Sequence, residues 1–101
     1  MPYNFFVDAK NPLPKDFHYH CSSLSSAIYY LKNYDVNILS IPYEFNEDET
    51  GIDILSSIEQ NLNNDGHFRL PKKIIIHSAT PAQRARMQLI INSIYRWREC
   101  Q

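Results

Sequence analysis

A chain of 101 residues, 44% hydrophobic and 13% aromatic, is long enough for one domain with its own core and too apolar for a disordered segment. Ten basic residues against eleven acidic ones leave a net charge of −1, which excludes a general pull toward nucleic acid or membrane. Only two cysteines, Cys21 and Cys100, exclude a disulfide framework; with no signal peptide or membrane-length apolar run, a reducing cytosol is the expected setting.

Tyr3 to Asp8 is aromatic and β-branched, meets Asn11-Pro12 soon after, and predicts a strand. Phe17 to Cys21 predicts a shorter one, with Phe17, Tyr19 and Cys21 on one side and His18 and His20 on the other. Ser22 or Ser23 suits an N-cap. Leu24, Ala27, Ile28 and Leu31 then recur at helical spacing, so residues 23–34 predict an amphipathic helix. Val36 to Ile41, closed by Pro42, is the third strand, and the acidic stretch Glu44–Glu49 follows as a loop. Thr50-Gly51 opens a second helix carrying Ile52, Leu55, Ile58 and Leu62 on one stripe, with Gly66 placed for a C′ or turn role. Lys73 to His77 holds Ile74-Ile75-Ile76, a continuous apolar run expected of a strand covered on both faces. Thr80 as N-cap and Pro81 as first helical residue start the last helix, with Met87, Ile90, Ile91 and Ile94 as its buried stripe.

Alternating strands and helices imply right-handed crossovers and a parallel sheet. The expected fold is a small doubly wound, receiver- or flavodoxin-like α/β domain spanning residues 1–101. It has about four strands in the order 2-1-3-4 and three helices, shared between the two faces of the sheet.

Such sheets bind ligands at the carboxyl ends of their strands. Asp8, Glu44 and His77-Ser78 fall there. The run His77 to Pro81 opens a helix whose N-terminal amides favour an anion. Ser78 and Thr80 carry hydroxyls for phosphate oxygens, and Arg84 stands one turn in. His77 is the candidate acid, base or electrostatic partner, and Asp8, the other catalytic candidate, is expected on the same rim. Asp8, helped by Glu44, is a candidate Mg²⁺ ligand. The plainer alternative makes Thr80 a helix cap and His77 a strand end. His18 and His20 have a spacing zinc tolerates, but no paired ligand motif accompanies them. Arg84, Arg86, Arg96 and Arg98 with Trp97 form a basic last helix, read as a solvated face rather than a nucleic-acid site.

Phe6-Val7-Asp8 with Asn11-Pro12, Ser40-Ile41, the run Glu49 to Leu55, and Leu70-Pro71 through His77-Ser78-Ala79-Thr80-Pro81 to Arg84 and Met87 together resemble the cyclic-phosphate-processing receiver-like domains of bacteria and phages. The resemblance implies recognition or processing of cyclic phosphates on nucleotides or RNA ends. By position it carries over Asp8, Thr50, Asp53, His77 and Ser78. The family's second acid is replaced by Ala9, and its acid-His-acid cluster by Pro42-Tyr43-Glu44. An Asn near the last helix becomes Thr80 and a Gly becomes Gln83. A chain that keeps the anion cradle and loses the acids is expected to bind phosphate with weak or lost catalysis. The alternative is a pseudo-receiver working by protein contact, such as a phage-encoded inhibitor of a host factor, through the acidic loop and the tyrosines Tyr29, Tyr30 and Tyr34. The partner is thus a nucleotide or RNA-end phosphate, or a host protein, and not a membrane; the oligomeric state is left open.

Overall fold

A computed structural model describes residues 2–65 and 68–99; Gly66 and Cys100, named above, lie outside them. The elements run β1 (Tyr3–Val7), β2 (Tyr19–Cys21), α1 (Leu24–Asn33), β3 (Val36–Pro42), α2 (Gly51–Asn64), β4 (Lys73–Ser78) and α3 (Pro81–Glu99). All strand pairs are parallel, in the order β2-β1-β3-β4. This is the receiver-like sheet and strand order expected from the sequence. No helix among the described residues is long and apolar enough to cross a membrane.

Each helix starts where local chemistry supplies acceptors for its free N–H groups. Ser23 caps α1 by accepting from the Ser26 amide. Thr50 and Asp53 form a capping box on α2: the Ile52 amide donates to Thr50 Oγ1 and the Thr50 amide to Asp53 Oδ2. Thr80 and Gln83 do the same for α3, with the Gln83 amide on Thr80 Oγ1 and the Thr80 amide on Gln83 Oε1. Gly51 is set by space rather than by dihedral angle. A Cβ there would collide with the Pro42 carbonyl and the Met87 side chain, so α2 begins hard against the end of β3.

One departure concerns the faces. The steps β2→α1→β3 and β3→α2→β4 cross the sheet in the same direction, so right-handed crossovers place α1 and α2 on the same side. α1 packs on α2 and α2 on α3, so the helices form one layer rather than two. The physical cause is the link 8–18, which joins β1 to β2 without a helix. Alternation then splits each strand. Phe5, Val7, Leu39, Ile41, Ile74 and Ile76 face the helices and join Leu55, Ile58, Met87, Ile91 and Ile94 in the core. Phe6 is buried outside that core, on the opposite face, against Phe17, His20 and His77. β4 is an edge strand and Ile75 is half-buried, so the apolar run does not have both faces covered.

β2 is shorter than expected, and this moves Phe17. The Phe17 amide bonds to the Pro14 carbonyl in a turn, so strand alternation does not yet hold there. Its ring meets Phe6 instead of sharing a side with Tyr19 and Cys21. Tyr19 does reach the helix side, stacking with Phe5 and Tyr30. Tyr30 and Tyr34 belong to that aromatic cluster, whereas Tyr29 is 58% exposed. Phe45, inside the acidic loop, is fully buried and pins that loop to the core.

Candidate functional site

The carboxyl ends of β1, β3 and β4 meet at Asp8. Just past β1, it is 3% exposed. Its Oδ1 accepts from the amides of Lys10 at 2.6 Å and Asn11 at 2.8 Å, and its Oδ2 from the Asn11 side-chain amide at 2.9 Å. His77 Nε2, brought by β4, lies 2.8 Å from the same Oδ2. Burial, the largest influence, pushes the Asp8 pKa up. The hydrogen bonds from the Asn11 side chain, the Asn11 and Lys10 amides and His77 outweigh it, and the pKa falls from 3.8 to about 2. The carboxylate is an anion at neutral pH.

The His77 ring stacks on Phe6 at 4.3 Å between centroids. Its other nitrogen, Nδ1, lies 2.8 Å from Oγ of Ser40 on β3. A carboxylate only accepts, so Nε2 carries the proton and, in the neutral ring, Nδ1 accepts from the Ser40 hydroxyl. Ser40, His77 and Asp8 are therefore one hydroxyl–imidazole–carboxylate chain linking three strands. Its order mimics a nucleophilic triad, but Ser40 is 1% exposed, and a substrate has no path to its oxygen. The chain is closed: it braces the rim.

The other candidates separate. Ser78 is exposed beside His77, and its carbonyl accepts the Tyr43 amide at 2.8 Å. Thr80 is engaged in the α3 capping box, and Thr50 and Asp53 in that of α2, so all three act first as helix caps. Arg84 Nη1 donates to the Ile76 carbonyl at 2.9 Å, which holds the guanidinium alongside the strand, two residues short of Ser78. Glu44 is exposed, with Oε2 3.8 Å from Lys10 Nζ. Lys10, Glu44, Ala9 and the 45–50 loop line a groove of about 640 Å³ on this rim.

Asp8 and Glu44 do not fit a magnesium ion. Both Asp8 oxygens already receive N–H donors, and Glu44 faces a lysine. No group of three or more His, Cys, Asp or Glu side chains placed for a metal occurs among the described residues. His18 and His20 have separate tasks: His18 Nδ1 accepts the Asn4 amide at 2.9 Å, and His20 Nε2 lies 2.6 Å from the Asp8 carbonyl.

Reading the sequence for chemistry missed Lys10, Asn11 and Ser40, and weighed His20 only as a zinc ligand. Ser40 had a signal: a hydroxyl inside an apolar strand is costly unless it is hydrogen-bonded. Lys10 and Asn11 had one too, since an Asp two or three residues upstream commonly binds such amides in a turn.

A family model described as a cyclic-phosphate processing receiver domain matches residues 3–93. No curated protein and no solved structure matches the chain.

Proposed function

The chain belongs to the cyclic-phosphate processing receiver domain family, and on that premise we propose that it recognises a phosphate ester, a cyclic phosphate on a nucleotide or at an RNA end, with catalysis weak or lost. The observation that carries this reading is the closed Ser40–His77–Asp8 chain. It fixes three strand ends beside exposed Ser78 and the groove at Lys10, but leaves His77 no free nitrogen for proton transfer. In this reading the Ser78 hydroxyl and the Lys10 ammonium bind phosphate oxygens. The positive end of α3, which begins at Pro81, adds to the attraction. Glu44 repels the ligand and so limits affinity.

Calorimetry with 2′,3′-cyclic nucleotides and with RNA ending in a 2′,3′-cyclic phosphate, with and without Mg²⁺, tests the proposal. The expected result is saturable binding without measurable turnover. An absence of binding at millimolar ligand rules the reading out.

A second reading, a pseudo-receiver acting by protein contact such as a phage-encoded inhibitor of a host factor, has its own support. Parallel sheets are normally covered on both faces, and here one face carries no helix among the described residues, while Tyr29 stands 58% exposed on α1. A lysate pull-down that returns no stoichiometric partner counts against it. Capture that survives Tyr29→Ala removes that tyrosine from the surface.

A further inference from the structure

Two imidazoles border Asp8, and their nitrogens are committed differently. In His77 both are engaged, by Asp8 and by a Ser40 hydroxyl that solvent does not reach. His20, on β2, is exposed, and its Nε2 lies 2.6 Å from the Asp8 backbone carbonyl. A carbonyl only accepts, so Nε2 bears the proton, and Nδ1 of the neutral ring is a bare lone pair. No hydrogen bond reaches that nitrogen from the described residues. This is the arrangement a working imidazole needs: one nitrogen anchored to fix the ring, the other open. The anchor is the backbone of Asp8 itself, so His20 moves with the site. The Phe6 ring, 5.7 Å from His20 and 4.3 Å from His77 between centroids, spans the gap between the two imidazoles. No helix among the described residues covers this face of the sheet, and His20 is exposed on it.

We infer that His20, through Nδ1, is the imidazole that meets the ligand at this rim, while His77 only positions Asp8. The inference rests on the cyclic-phosphate reading and names a contact residue within it. Neutral, His20 Nδ1 accepts from a ribose or water hydroxyl. Protonated, it donates to a phosphate oxygen.

The test is an NMR titration of the full chain with 2′,3′-cyclic AMP, following the histidine ring resonances, with calorimetry on two variants. His20 ring signals should shift saturably and those of His77 should stay nearly fixed. His20→Gln retains an amide donor for the Asp8 carbonyl but has no open ring nitrogen. It should weaken binding about tenfold with the backbone amide spectrum otherwise preserved. His20→Ala, which keeps neither nitrogen, should weaken binding at least as far. Saturable shifts at His77 with His20 silent, or an unchanged affinity in His20→Gln, overturn the inference while leaving cyclic-phosphate binding intact. An absence of any saturable shift at millimolar ligand instead overturns the functional reading, and the inference with it. The ring-shift comparison uses the native chain, so it decides the matter even if a variant fails to fold.

Discussion

Replacing Asp8 by Asn removes the one buried charge at the centre of the site. The native carboxylate titrates at about 2, against an ordinary 3.8 in the open chain. A depressed folded-state pKa stabilises the fold at every pH above the unfolded value, by about 2 kcal/mol at neutral pH. That contribution is lost as pH falls from 3.8 toward about 2, because the native carboxylate is then protonated too. Asp8→Asn should therefore unfold in urea with a stability deficit of about 2 kcal/mol at neutral pH, and the deficit should shrink toward zero near pH 2. The sign follows from the donors: the Lys10 and Asn11 amides, the Asn11 side chain and His77 all favour the anion. Urea curves for both proteins at a series of pH values provide the measurement. A deficit that stays constant from neutral pH down to about pH 2, or no deficit at neutral pH, would refute the argument.

Three further outcomes follow from the packing. Gly51→Ala puts a methyl group against the Pro42 carbonyl and Met87 and should cost about 2–3 kcal/mol, read as a lowered Tm. A variant as stable as the native chain would show that α2 can back away from β3. Thr50→Ala removes the hydroxyl from the α2 capping box and should cost about 1 kcal/mol in chemical unfolding; no change would mean that Asp53 alone satisfies the first turn. Cys21 is buried, and burial pushes its thiol up to about 12. In a Cys100→Ser background it should resist thiol reagents until denaturant is added, and prompt labelling of the native protein would contradict that burial.

The fold was legible because its signals were local and redundant. Thr80-Pro81, Thr50-Gly51 and Ser23 each marked a helix start within a residue, and β-branched or aromatic runs marked every strand. One feature was not local. The gathering of the helices on one face depends on the helix-free link 8–18, a property of topology rather than of any residue pattern. The site was half legible. Asp8 and His77 were expected on one rim from their places at strand ends, and a 2.8 Å contact joins them there. Thr80 and Arg84 look like anion ligands in one dimension. In space their polar atoms are drawn to nearer partners, Gln83 and the Ile76 carbonyl. Ser40 was passed over as chemistry and His20 weighed only as a zinc ligand, because each meets its partner across the sheet, and strand pairing fixes those neighbours only once the register is known.

The all-parallel pairing has a kinetic side. Phe5 meets Leu39, Leu39 meets Ile74, and the Asp8–His77 contact spans 69 positions of chain. No hairpin can nucleate this sheet, so every ladder closes a long loop before contacts compensate for it, which places folding among slow small domains. During synthesis the Phe5-Phe6-Val7 segment leaves the ribosome before either of its partner strands, and its β3 edge stays unpaired until Val36–Pro42 follows. Through that interval it is the part of the chain most open to aggregation, and the most natural client for a chaperone.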